Sequence, residues 1–414
     1  MSGDPGRDSP PAVSHLGPAL ISLALTVVCL VSATGVAKRW SRAHLDALGP
    51  INLPQKNLGV LIPREIARSP DIIPVYGSSE LARASEFRAD EFFANRPRGF
   101  AVSPIGERGT TLLNTLQQIG AVGNAFAGRK VIILVSPRDF LRVDERSEAR
   151  RKEYAGNYSR LQAQSVIFGA DFGLAFKRRV AARLLRFPEV FEDDPVLRFA
   201  SKRLVNGGLV QRAGYYLAAP LGRLQMEVSG WADAVSVLEL LARRPALRQA
   251  VPAVPRPIDW GNLADSAMRI YRPRAGHNPA GFEDTYWNEF ARHYLALRGR
   301  STDSRVGSAL ERSPRWTDLG LIVEGLTEMG ANPLVLTLPL PSRYYFSYLG
   351  LSPSVWQIYY RKLRSIVSAA GGRTTTFEAN DLDPFLLRDE VHPSPEGWVL
   401  LDRAIDDFAH DTLH

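Results

Sequence analysis

The chain has 414 residues, enough for two or three domains at roughly 150 residues each. Its 45% hydrophobic and 23% charged residues exclude both a disordered chain and a multi-span membrane protein, so the bulk folds in water. A net charge of +8, from 51 Lys+Arg against 43 Asp+Glu, suits an anionic lipid surface or a polyanionic substrate and is too mild to indicate nucleic acid. The single cysteine, Cys29, leaves no material for an intrachain disulfide, a zinc cluster or a thiol triad.

Residues 1–17 form an N-terminal tail. The run 18–37, PALISLALTVVCLVSATGVA, carries no charge, and about 20 such residues in a helix cross the hydrocarbon core of a bilayer. One transmembrane helix is expected, with a cleaved signal peptide as the competing reading because Gly35-Val36-Ala37 is a small-x-small site. Lys38, Arg39 and Arg42 follow the run, whereas only Arg7 and the Met1 amine precede it, so positive-inside counting places the remainder in the cytosol. A linker occupies 38–70.

Residues 71–76 form a short apolar, partly β-branched run that stops at Gly77 and passes into helical spacing: strand, tight turn, helix. A helix over 110–126, a stop at Gly128 and a buried strand over 131–135 form a second unit closed by Ser136-Pro137. From 138 to 312 the sequence turns Arg-rich and Ala/Leu-rich with few strand signals, and a largely helical insertion is expected there. The α/β pattern returns from 313, with helix 318–329, strand 334–338, helix 355–370, strand 374–377 and a last helix over 395–408. Such alternation implies a parallel sheet covered by helices, split between 71–137 and 313–414. Within the insertion, LAFKRRVAARLLRF sets Phe176, Val180, Leu184 and Phe187 on one face beside Arg179, Arg183 and Arg186. That pattern fits either a helix lying on an anionic membrane or a helix packed on the core with solvated arginines.

Three residue types needed for serine chemistry occur at matching places. Gly77-Ser78-Ser79-Glu80 lies where a strand meets a helix, at the sheet edge where open α/β sheets bind ligands and beside backbone N–H groups that favour an oxyanion. Asp389 and His392 lie three apart in a late loop, a spacing that lets the carboxylate orient the imidazole toward a serine. Alone, a Gly-Ser-Ser turn is an ordinary turn and an Asp-x-x-His an ordinary surface loop or helix cap. Among the histidines, His15 and His44 flank the apolar run, His277 and His293 lie in the insertion, and His410 and His414 lie at the tail. Only His392 has a carboxylate at this spacing in a late α/β loop. The Asp/His pair stands apart from other metal-ligand types, and no glycine-rich phosphate loop is present, so neither a metal nor another cofactor is implied.

At these residues the chain resembles the DltD family of the SGNH hydrolase superfamily. The resemblance is carried by Gly77-Ser78-Ser79-Glu80-Leu81, by KVIILVSPRDF over 130–140 and by FLLRDEVHPSPEGW over 385–398. HNPAGF, SPRWTDL and YYFSYLGL fall between them in family order, so the likeness runs from about 71 to 408. It implies a flavodoxin-like three-layer SGNH hydrolase fold, and a plasma-membrane protein with its catalytic domain outside the cytosol, against the positive-inside count. The implied reaction is D-alanyl ester transfer to teichoic acid or a related anionic polymer or lipid, beside a membrane-bound O-acyltransferase and an acyl carrier protein. It also implies Ser79 as nucleophile with Ser78 as the fallback, Asp389 and His392 as its partners, and the N–H groups of Ser79 and Gly109 as oxyanion donors. The chain departs from the family at Arg138-Asp139, where Gln-Trp is common, and at PLPSR over 339–343. Three functions compete on these residues: acyl transfer through a seryl ester, hydrolysis on the same triad, and non-catalytic recruitment of an acyltransferase and carrier protein.

Overall fold

The computed structural model describes residues 15–83, 85–145, 147–243 and 256–412. Arg7 and most of the expected N-terminal tail, and His414, lie outside the described residues. Helix α1 (Leu16–Ala43) contains the apolar run, is long and apolar enough to cross a membrane, and has no protein covering its apolar half. It continues beyond 37 into the expected linker. There α2 (Leu45–Leu48), α3 (Pro54–Asn57) and α4 (Leu61–Arg68) follow.

The α/β body opens with β1 (Ile72–Tyr76), α5 (Ser79–Ala82), α6 (Ala89–Asn95), β2 (Ala101–Ile105), α7 (Leu112–Val122) and β3 (Lys130–Val135). Among the described residues, eight α-helices come next: α8 (Glu148–Gly156), α9 (Arg160–Phe168), α10 (Leu174–Leu184), α11 (Pro195–Asn206), α12 (Leu209–Arg243), α13 (Trp260–Tyr271), α14 (Asp284–Leu297) and α15 (Asp303–Arg312). The body closes with α16 (Arg315–Glu328), β4 (Asn332–Thr337), α17 (Pro353–Ala369), β5 (Arg373–Thr375) and α18 (Pro395–Ala409).

The five strands are all parallel, in the order β2-β1-β3-β4-β5, which is the flavodoxin-like arrangement. Alternating residues divide the core in two, as a pleated strand requires. Tyr76, Val131, Ile133, Val135 and Val335 face α7, α9, α10, α16 and α17. Ile73, Val75, Ile132, Leu134, Leu334 and Leu336 face α6, α13 and α18. The layers are therefore helix, sheet, helix.

The strand absent from the sequence reading is β2. It pairs along its length with β1, from Ile72↔Ala101 to Tyr76↔Ile105, and forms an edge of the sheet. Its sequence, AVSPI, is short and contains a proline, which an edge strand tolerates because one side has no ladder. Pro74 and Pro333 sit inside strands for a related reason: pairing of β1 with β3 starts at Val75, and pairing of β4 with β5 starts at Leu334.

The lipid-surface reading of the LAFKRRVAARLLRF segment is overturned. Phe176, Val180, Leu184 and Phe187 are buried in the larger core. Arg183 is buried as well, held by Glu145 and by Asp318 of α16, and Arg179 pairs with Glu324. Burial opposes the charge on Arg183, and the two carboxylates more than restore it.

Candidate functional site

The ends of β1 and β2 form the first half of the site. Gly77 N–H donates to the Ile105 carbonyl at 3.1 Å, drawing the turn after β1 against the turn after β2. The contact is so close that a Cβ on Gly106 would stand 2.4 Å from the Gly77 carbonyl oxygen. Asn52 clamps the same point, donating to the Gly106 carbonyl at 2.7 Å. Ser79 therefore opens α5 at the C-terminal end of the sheet on a fixed turn. Glu80 lies beneath it, accepting from Ser78 N–H at 2.6 Å, and its burial pushes the carboxyl up to about 7.

The second half is the loop before α18. Ser394 caps that helix, accepting from Gly397 N–H at 3.0 Å, and Pro395 occupies a first-turn position where a missing N–H costs no hydrogen bond. Inside the loop, Arg388 N–H donates to the His392 carbonyl at 2.8 Å and Ser394 N–H to the Leu386 carbonyl at 3.0 Å. The HNPAGF segment grips this loop from outside. Asn278 accepts from the N–H groups of Ala280 and Phe282, both at 3.1 Å, and donates to Asp284 at 2.8 Å. The folded turn places Glu283 so that its N–H donates to the Arg388 carbonyl at 2.8 Å and its carboxylate accepts from the Arg388 guanidinium at 3.0 Å.

Across the two halves, His392 Nε2 stands 2.9 Å from Ser79 Oγ, and His392 Nδ1 stands 2.6 Å from Asp389 Oδ2. The other Asp389 oxygen accepts from the N–H groups of Val391 at 2.8 Å and His392 at 2.9 Å. Burial would raise the Asp389 carboxyl, but His392 and these two N–H groups hold it below the usual carboxylate range. With Nδ1–H donated to Asp389, Nε2 is the acceptor for the Ser79 hydroxyl. The Ser78 hydroxyl instead donates to the Glu107 carbonyl at 3.4 Å.

A cleft of about 830 Å³ opens over this line of atoms, bordered by Ser79, His392, Gly109, Asn157, Arg138 and Tyr286. Gly109 adopts φ +81°, a left-handed conformation suited to glycine. Its turn is tied by Thr110 N–H donating to the Glu107 carbonyl at 3.0 Å and by Asn157 donating to the Arg108 carbonyl at 3.1 Å. Arg138, a point of departure from the family pattern, is ion-paired to Glu390, which is buried in the His392 loop. Burial works against the arginine's charge and Glu390 restores it, so the guanidinium stays cationic. The sequence reading named neither Asn52, Gly106 nor Asn157. Each acts through a backbone contact distant in sequence, and a lone Asn or Gly carries no spacing signal for that. Among the described residues, no group of three or more His, Cys, Asp or Glu is placed to hold a metal ion.

Residues 53–410 match the family described as DltD protein. Protein DltD of Bacillus subtilis (strain 168) is 25% identical over 351 residues, covering 84% of this chain and 85% of its own length. Protein DltD of Staphylococcus aureus (strain NCTC 8325 / PS 47) is 23% identical over 347 residues, covering 84% and 83%. A match from the approach to β1 through the last helix takes in the sheet and both halves of the cleft, and the chain belongs to the DltD family.

Proposed function

We propose that the protein is a membrane-anchored serine O-acyltransferase that passes an acyl group, D-alanyl by kinship with the family, to an envelope polymer such as teichoic acid. The observation that carries this reading is the continuous hydrogen-bonded line Ser79–His392–Asp389 at the floor of an open cleft. A serine hydroxyl is a weak nucleophile until a positioned base takes its proton. Here His392 Nε2 accepts that proton as Ser79 Oγ bonds to the acyl carbonyl carbon. Asp389, held ionised, stabilises the imidazolium that forms. The imidazolium then protonates the leaving group, and the carbonyl–leaving-group bond breaks to give the seryl ester. In the second half His392 takes the proton of the acceptor hydroxyl, whose oxygen bonds to the acyl carbon, and the imidazolium returns the proton to Ser79 Oγ as the seryl ester bond breaks. Backbone N–H groups of Ser79 and Gly109 serve the oxyanion, and one such donor contributes about 3 kcal/mol in the transition state. In this reading the domain lies outside the cytosol, and a membrane-bound O-acyltransferase and an acyl carrier protein supply the acyl group.

The test is fluorophosphonate labelling of the detergent-solubilised full chain, with peptide mapping. Label is expected on Ser79 in wild type and in Ser78→Ala, absent in Ser79→Ala and at least a hundredfold slower in His392→Ala. Folded wild type that takes no label, or takes it equally in every variant, overturns the proposal.

A further inference from the structure

Helices α11 and α12 form a hairpin turned at Gly207 and Gly208, both at positive φ. Its inner side is fixed to the domain: Tyr215, Ala219 and Gly222 are buried, the Tyr215 hydroxyl donates to the Ile167 carbonyl at 2.8 Å, and Gly222 lies against the ring of Phe168. The outer side is apolar and uncovered. Leu209, Val210, Leu217, Leu221, Leu224 and Val228 are all exposed, Leu209 at 85% and Leu217 at 83%. From Val210 onward they recur at intervals of seven, four, three and four, a single helical stripe. Across residues 195–228 the chain carries Arg198, Lys202, Arg203, Arg212 and Arg223 against a single carboxylate, Glu227.

The position of the hairpin relative to α1 identifies what covers this stripe. The foot of α1 is buried on α12, with Ala37 in one cluster with Ala234, Val237 and Leu241. Two to six residues closer to the N-terminus, Gly35, Thr34 and Val31 share a cavity with Met226, Glu227, Gly230 and Trp231. At 1.5 Å per residue, Val31 stands about 9 Å inside the end of the uncharged run at residue 37. The middle of α12 is therefore level with residues that a bilayer surrounds when α1 spans it. Exposed leucines adjoining that level, flanked by five cations and one carboxylate, have the composition of a surface lying in the headgroup–acyl boundary of an anionic membrane.

We propose that the α11–α12 hairpin rests in the interface of an anionic lipid bilayer, as a second membrane contact that fixes the orientation of the domain about its anchor. The proposal rests on α1 being the span, and the experiment separates the two. The full-length protein is labelled with an environment-sensitive fluorophore at native Cys29, or in a Cys29→Ala background at Leu217→Cys, Leu221→Cys or Leu382→Cys. Leu382, 80% exposed in the loop after β5, is the aqueous control. Each sample is reconstituted alone into phosphatidylcholine vesicles with or without phosphatidylglycerol, and quenching by brominated lipid is read. At 217 and 221 the expected quenching is at least threefold above that at 382, strongest with lipid brominated near the headgroup and greater with phosphatidylglycerol. At Cys29 it is strongest with lipid brominated deep in the chain. Quenching at 29 with none beyond the control at 217 and 221 overturns the hairpin contact and leaves the span standing. Quenching at 217 and 221 without quenching at 29 removes the span and overturns the proposal as a second contact about an anchor. Shielding at 217 and 221 that requires a co-reconstituted membrane protein also overturns the lipid assignment.

Discussion

Glu80 follows the proposed nucleophile in sequence and lies beneath its turn, with its carboxyl pushed up to about 7 by burial. Proximity of Asp139 adds to that rise, while the Ser78 N–H bond and His392 oppose it. A carboxyl whose folded value lies above its unfolded 4.5 contributes its full stability below about pH 4.5 and loses it as pH climbs to about 7. Gln at this position keeps an oxygen for Ser78 N–H and does not titrate. Urea midpoints of wild type and Glu80→Gln at pH 4.5 and 7.5 are therefore expected to shift in favour of the variant by up to about 3 kcal/mol on going to the higher pH. Parallel pH profiles for the two proteins would show that Glu80 does not titrate in this window. Asp389 is the opposite case, a buried carboxylate kept ionised by an imidazole and two N–H groups. Its spacing from His392 was visible in the sequence. The partner across the cleft, 313 positions away from His392, follows from topology.

The elements that hold the site are turns and loop clasps more than helices or strands. The HNPAGF turn is an example: its sequence resembles a family segment, yet nothing in its composition says that it grips the Asp389–His392 loop. Asn278 is buried and makes four bonds, to the Ala280 and Phe282 N–H groups, the Phe282 carbonyl and Asp284. Alanine there strands two N–H groups, each costing about 1–3 kcal/mol if buried without a partner, and releases the Glu283–Arg388 clasp. Asn278→Ala is expected to lower the urea midpoint by the equivalent of about 2 kcal/mol and to reduce the fluorophosphonate labelling rate of Ser79 about tenfold or more, while Asn278→Asp recovers part of both. An unchanged labelling rate in a destabilised Asn278→Ala protein would assign the turn to stability alone. At the sheet, β1, β3 and β4 were legible as apolar runs bounded by turns and β5 as a short β-branched run, whereas β2 was hidden by Ser103, Pro104 and its short length. An edge strand paired on one side needs less hydrophobic signal than a central one.

Across the molecule, the helices between β3 and β4 are tied to the sheet layers by Arg183. It reaches from α10 to Asp318 of α16 and to Glu145, and all three are buried. Removing one member of such a set leaves uncompensated charge inside, at a cost of about 3–5 kcal/mol. Arg183→Leu is expected to reduce unfolding free energy by that amount in urea titrations. Material that remains folded should label at Ser79 within a factor of two of wild type, because the triad is built on other contacts. A stability loss under 1 kcal/mol would show that Arg183 is replaceable by packing. The same arginine explains why the lipid-surface reading of α10 fails: its basic face is taken up by buried carboxylates. Two neighbouring segments are basic and amphipathic, and only their packing partners separate them: carboxylates await Arg179 and Arg183, whereas Leu209, Leu217, Leu221 and Leu224 of α12 are exposed.

Local patterns in the chain were sufficient for the uncharged N-terminal run, the alternating α/β units, the helical stretch between them, and the two motifs containing Ser79 and His392. These follow from periodicity, turn chemistry and spacing, which act over a few residues. Folding in three dimensions set the strand order with β2 at the edge, the choice of Ser79 over Ser78 as the hydroxyl bonded to His392, the clamps by Asn52, Asn278 and Glu390, and the burial of α10 with exposure of α12. Each of these depends on contacts between segments tens to hundreds of residues apart, and a single side chain's partner at that distance leaves no periodic trace in the sequence.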